Sequence, residues 1–129
     1  MKAIILGLAM ALTGVAAFAD EPVPVKEVAV TVQDVYVPGG FDANSDVYVI
    51  VSGVFPNSCY RWKDATVTHD KQANIHEVRS TALVSQGMCL MVLVPFTKEV
   101  RLGQLGAGDH RVRFMSGDGT YLEKTIVIE

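Results

Sequence analysis

Few side chains in this sequence could do chemistry, and their spacing limits what that chemistry could be. His69 and His76 stand either side of Lys71-Gln72-Ala73-Asn74. If the chain turns there, position 69 pairs with 76 and 67 with 78. Val67, Val78 and both histidines then share a face, and the two imidazoles lie about 5 Å apart at Cβ. Imidazoles are metal ligands by type, but a zinc or copper site ordinarily takes three or four ligands, and no third is evident. The pair therefore reads as two solvated histidines near a hairpin tip. No metal and no cofactor is expected.

Cys59 and Cys89 are the only cysteines. In an oxidising compartment they are expected to pair, closing a loop of about 30 residues and contributing roughly 3–4 kcal/mol. Their spacing fits no metal-binding pattern. Directly after Cys59 come Tyr60, Arg61 and Trp62, the residue types enriched at interaction hot spots. Beside a bridged cysteine and the strand-ending Pro56, they form a candidate binding patch. In a loop all three could be presented together, whereas in a strand Arg61 would point away from the other two.

Motifs of catalysis are absent. The chain has no Gly-x-Ser-x-Gly, no P-loop and no Rossmann glycine pattern, and Ser116-Gly117-Asp118-Gly119 reads as a turn. A cysteine nucleophile would require a reduced thiol. Acidic residues are scattered, and no pair of carboxylates can be singled out as a hydrolytic site. The chain is read as not an enzyme, with no catalytic residue.

These residues need a frame. Lys2, an apolar run from Ala3 to Val15 and the small-x-small triplet Ala17-Phe18-Ala19 read as a signal peptide over residues 1–19. The apolar run is short for a membrane span, so none is expected after cleavage. The expected product is exported, either periplasmic or secreted. It retains a net negative charge without a basic cluster, which argues against nucleic acid or an anionic membrane surface as partner.

Residues 20–26, with Pro22 and Pro24, read as an extended lead-in, and residues 27–129 as one domain. Period-two alternation starts with Val28, Val30 and Val32, then shifts phase at Gln33-Asp34, predicting a β-bulge or a change of sheet. Asp46 to Phe55 is apolar on both faces and reads as a central strand ended by Pro56. Trp62–Asp70 and Asn74–Val84 read as a hairpin. Met88 to Val94, almost continuously apolar, reads as a second central strand ended by Pro95. Thr97–Leu102 reads as a short extended segment. His110–Met115 and Thr120–Ile128 form a hairpin around Gly117-Asp118-Gly119 that pairs Arg113 with Glu123 and Phe114 with Leu122. No convincing helical period is present.

About seven or eight short strands around one disulfide predict an all-β fold, an immunoglobulin-like antiparallel β-sandwich. The stretch Leu102-Gly103-Gln104-Leu105-Gly106-Ala107-Gly108 followed by the alternating Asp109 to Phe114 resembles the penultimate-strand entry of many bacterial immunoglobulin-like domains. With Val54-Phe55-Pro56-Asn57-Ser58-Cys59 and Met88-Cys89, the chain resembles small exported bacterial sandwich proteins of uncharacterised function. That resemblance implies a fold and no catalytic residue. The expected function is a non-enzymatic exported binding or envelope-associated module with a protein or envelope partner. The alternative is a secreted inhibitor of a protease or other hydrolase, acting through a disulfide-braced loop at Pro56–Trp62.

Overall fold

A computed structural model describes residues 24–129. The expected signal peptide lies outside the described residues, as does most of the expected lead-in. The described residues form eight strands: β1 (Val25–Ala29), β2 (Asp34–Tyr36), β3 (Val47–Phe55), β4 (Tyr60–Asp70), β5 (Ile75–Ser85), β6 (Val94–Gly103), β7 (Gly108–Met115) and β8 (Tyr121–Ile128). They make two sheets, one of five strands and one of three, packed as a sandwich. Among the described residues no helix is long and apolar enough to cross a membrane.

The phase shift at Gln33-Asp34 is a change of sheet. β1 pairs with β5 in the larger sheet, and β2 pairs with β3 in the smaller one. β3 is the centre of the smaller sheet, flanked by β2 and β6, and Val47, Val49 and Val51 on its inner face are fully buried. β5 is the hub of the larger sheet. β4 runs antiparallel along the whole of one edge, from Tyr60↔Val84 to Asp70↔Ile75. The other edge is divided. β1 takes residues 81–85 antiparallel, and β7 takes residues 75–79 parallel. The parallel pair is possible because the chain reaches β7 by way of β6 in the opposite sheet.

Both hairpins have the expected register, with His69 opposite His76 and Phe114 opposite Leu122. Each turns on a residue in the left-handed region: Asn74, with φ 53°, and Gly119, with φ 88°.

One expected strand does not form. Met88 to Leu93 is an exposed crossover from β5 to β6, and strand structure resumes only at Val94. A continuous apolar run ordinarily marks a strand buried on both faces. Here the run must travel from one sheet to the other across the end of the sandwich, where no neighbouring strand is available to pair with it. Pro95 does not end the strand either. It lies within β6 opposite Val54, and a proline is tolerated there because β6 is an edge strand.

Two apolar clusters make the core. The larger joins Val47, Val49, Val51, Val78, Val112, Phe114 and Ile126 across the sheets, and the smaller joins Val30, Phe55, Ala82 and Phe96.

Candidate functional site

Two features stand apart from the packing of the sandwich, one at each end of β4. Ten residues of extended chain separate them, roughly 30 Å.

The first is built on the disulfide. Cys59 and Cys89 are bonded, with Cα atoms 5.3 Å apart, as expected from the sequence. Cys59 closes the short connection between β3 and β4 and is buried, while Cys89 lies in the crossover. Beyond the bridge, Ser58 holds Leu90: its Oγ accepts the Leu90 N–H at 2.7 Å, and its own N–H donates to the Leu90 carbonyl at 3.0 Å. With its backbone fixed in this way, the arm turns its side chains outward. Met88, Leu90, Met91, Val92 and Leu93 are between 51% and 103% exposed. No charged residue lies between Gln86 and Val94. An apolar surface of this kind, continuous and braced, differs from the single exposed apolar residues found on any protein.

The structure divides the candidate patch Tyr60-Arg61-Trp62. β4 begins at Tyr60, so alternation sends Tyr60 and Trp62 inward and Arg61 outward. Tyr60 stacks on Phe55 with ring centroids 5.6 Å apart, and Trp62 lies 5.6 Å from Phe96. These two rings complete the smaller core cluster, and only Arg61 is exposed. The connection at Pro56–Cys59 is correspondingly too short to present all three residues as a loop. The exposed segment that the disulfide braces is the other partner's, around Cys89.

The second feature gathers all three histidines of the chain. Inward-facing positions on three strands of the larger sheet run Val67 then His69 on β4, Val78 then His76 on β5, and Val112 then His110 on β7. Each apolar stripe ends in a histidine at the same end of the sheet. His69 Nδ1 lies 2.7 Å from His76 Nδ1, His76 Nε2 lies 2.8 Å from His110 Nδ1, and His110 Nε2 lies 2.6 Å from the Gly106 carbonyl. The expected pair of solvated histidines is corrected here: His76, on the inward face of β5, is buried at 3% exposure, as is His110 at 4%, and of the three only His69 is exposed. The chain borders an open concavity of about 580 Å³ also lined by Lys71, Gln104 and Leu105.

Proton positions in this chain follow from its inner end. A carbonyl can only accept, so His110 Nε2 carries a proton and, in the neutral ring, its Nδ1 accepts. His76 therefore donates from Nε2 and accepts at Nδ1. His69 donates from Nδ1 and keeps its Nε2 lone pair for solvent. Burial, then the neighbouring His69 and His110, lower the His76 pKa to about 4, so the central ring is neutral at physiological pH. Because His76 offers opposite nitrogens to its two neighbours, the three rings do not converge on one point. Among the described residues no group of three or more His, Cys, Asp or Glu side chains is arranged to hold a metal ion.

The sequence contained part of this second feature. The hairpin register brought His69 to His76. His110 was legible as the residue that begins the Val112–Phe114 stripe, but its proximity depends on the parallel pairing of β5 with β7, which no local pattern encodes.

The model of a family described as the ORF11 beta-sandwich domain matches residues 49–128, which span the chain from within β3 to the end of β8. No curated protein and no solved structure matches the chain.

Proposed function

The chain belongs to the ORF11 beta-sandwich domain family, and from that premise we propose that it is a non-enzymatic, exported, immunoglobulin-like binding module that engages a protein partner through the arm around Cys89. The observation that carries this reading is the set of five outward apolar side chains on a segment fixed by the disulfide and by Ser58. Leaving apolar surface in water is unfavourable by roughly 25 cal/mol per Å², so burying this arm against a partner would supply a driving force. Because the arm's base is already fixed, little conformational entropy is lost on docking. Export is supported by the leader-like N-terminus and by the disulfide, which persists in oxidising compartments.

The test is retention of a saturable partner from the envelope fraction by wild-type protein and by a Met91→Asp/Leu93→Asp variant. Both positions are exposed, so the folded state should be preserved, with each change within about 0.5 kcal/mol. Loss of the partner with an unchanged melting curve supports the reading. Full recovery by the variant removes the arm from the function.

A second reading is inhibition of an endopeptidase with an apolar primary pocket. The pair of hydrogen bonds between Ser58 and Leu90 favours it, because a backbone held rigid next to a crosslink resists release after cleavage. Incubation with a panel of endopeptidases separates the two readings. Stoichiometric inhibition, with any cut falling between Leu90 and Leu93, favours the inhibitor, and rapid degradation or indifference excludes it.

A further inference from the structure

We propose that His69 and His76 form a two-imidazole binding site for a divalent transition-metal cation of the zinc class, held between their Nδ1 atoms.

The proton pattern of the histidine chain leads to this assignment. His76 presents the Nδ1 lone pair towards His69, because its Nε2 proton is committed to His110. His110 is committed in turn to the Gly106 carbonyl. A ligating histidine is ordinarily oriented in this way: one nitrogen faces the metal while the other donates to a fixed acceptor. His110 thus acts as a positioning residue for His76 and is not itself a ligand.

The proton shared between His69 Nδ1 and His76 Nδ1 occupies the place a cation would take. On binding, His69 loses its Nδ1 proton and carries one at Nε2 instead, where solvent delivers it. Both rings stay neutral, no net proton is released, and each Nδ1 lone pair faces the metal. At nitrogen–metal distances of about 2.0–2.1 Å, tetrahedral ligands stand roughly 3.3 Å apart. The present separation is 2.7 Å, so the rings must part by about 0.6 Å. His69 is exposed and can turn to make that room, whereas His76 is fixed.

Access is open through the concavity, which no carboxylate lines. Lys71 lines it as well, but its flexible stem lets the ammonium swing into solvent. The site offers two protein ligands and leaves the remaining coordination positions to solvent. Imidazole pairs of this kind suit zinc, copper and nickel in preference to calcium or magnesium.

The experiment is a zinc(II) chloride titration of the folded chain, followed by calorimetry and by nitrogen-15 chemical shifts of the imidazoles. The expected result is one equivalent bound, with metal-type shifts at Nδ1 of His69 and His76 and a retained Nε2 proton on His110. His69→Gln should weaken binding at least 100-fold while leaving the melting temperature of the metal-free protein unchanged. His110→Gln should weaken it by about 10–100-fold, the usual cost of losing an orienting partner. The proposal is overturned by unshifted imidazoles at several equivalents of zinc. It is also overturned by wild-type affinity in His69→Gln, or by a metal-type shift at His69 Nε2 with the proton retained at its Nδ1. Calcium chloride added in the same way should leave every imidazole unmoved, and imidazole shifts with calcium would contradict the proposed ligand class.

Discussion

Ser58 holds Leu90 by both of its backbone polar groups, one residue away from a disulfide on each side. The two hydrogen bonds and the Cys59–Cys89 bond together form a small rigid unit at one end of the sandwich. The turn from β3 to β4 is thereby joined to the crossover from β5 to β6. The apolar arm that follows is exposed because this unit fixes its base.

Reduction should therefore act on stability and on the arm together. A bridge closing a loop of this length contributes roughly 3–4 kcal/mol. For a domain of about 100 residues that corresponds to a fall in Tm of order 10–20 °C. Scanning calorimetry with and without reductant measures the fall, and thiol titration of the denatured, unreduced protein should find no free thiol. An unchanged melting curve would show that the bridge does not organise the fold.

Gly53 is required by its neighbours. A Cβ at this position would lie 2.5 and 2.7 Å from Phe96 ring carbons and 3.3 Å from the Thr31 carbonyl. The Phe96 ring cannot easily yield, since it stacks on Phe55 at 4.5 Å and meets Trp62. Gly53→Ala should cost about 1–3 kcal/mol, the usual range for overpacking, measured as a shift in the urea midpoint. A variant as stable as wild type would mean that the aromatic cluster can repack.

The division of Tyr60-Arg61-Trp62 between two faces has a direct consequence. Trp62→Ala should cost about 3 kcal/mol, at the low end for a core aromatic because the ring is only partly buried. Arg61→Ala should change stability by less than about 0.5 kcal/mol. Chemical denaturation of the two variants measures both, and equal small effects would show that the tryptophan is not part of the core.

Much of this fold was legible because period-two alternation and turn residues act locally. The β3 run, the Asn74 and Gly119 hairpins and the phase shift at Gln33-Asp34 all depend on neighbours within a few positions. The arm departs from its local pattern for the same reason. Met88 to Leu93 has the composition of a buried strand, and only the topology shows that the chain must cross between sheets there. Of the two candidate sites, the disulfide followed from there being only two cysteines. The His69–His76 pair followed from register, and His110 joined them only through the parallel pairing of β5 with β7, whose partners lie 36 residues apart in the chain, as in His76↔Val112.

Ser80 breaks the apolar stripe of β5 between Val78 and Ala82. It is 2% exposed, and its hydroxyl has no hydrogen-bond partner within the described residues. Burying an unpartnered hydroxyl costs about 1–3 kcal/mol. Ser80→Ala should therefore be neutral or stabilising by up to about 2 kcal/mol, read from the urea midpoint. A clear destabilisation would mean that the hydroxyl is satisfied in solution.

His76 should make stability depend on pH. Its pKa is lowered from 6.5 to about 4 in the folded chain, first by burial and then by His69 and His110. Those two rings are the titratable groups that touch it, from β4 and β7, and Lys71 borders the same concavity from the turn. Between about pH 4 and 6.5 the unfolded chain binds a proton that the native chain excludes. Stability therefore rises with pH across that window, is complete above it, and is lost as pH falls towards 4. The loss should be about 1–3 kcal/mol, less than the full shift implies because the histidine chain borders an open concavity. Carboxylates also titrate in the lower part of this range, so the informative quantity is the difference between wild type and His76→Gln. Urea unfolding of both proteins at half-unit steps from pH 4 to 7.5 should show wild type losing stability relative to the variant as pH falls. A constant difference would mean that the central imidazole accepts its proton in the folded state as readily as in water.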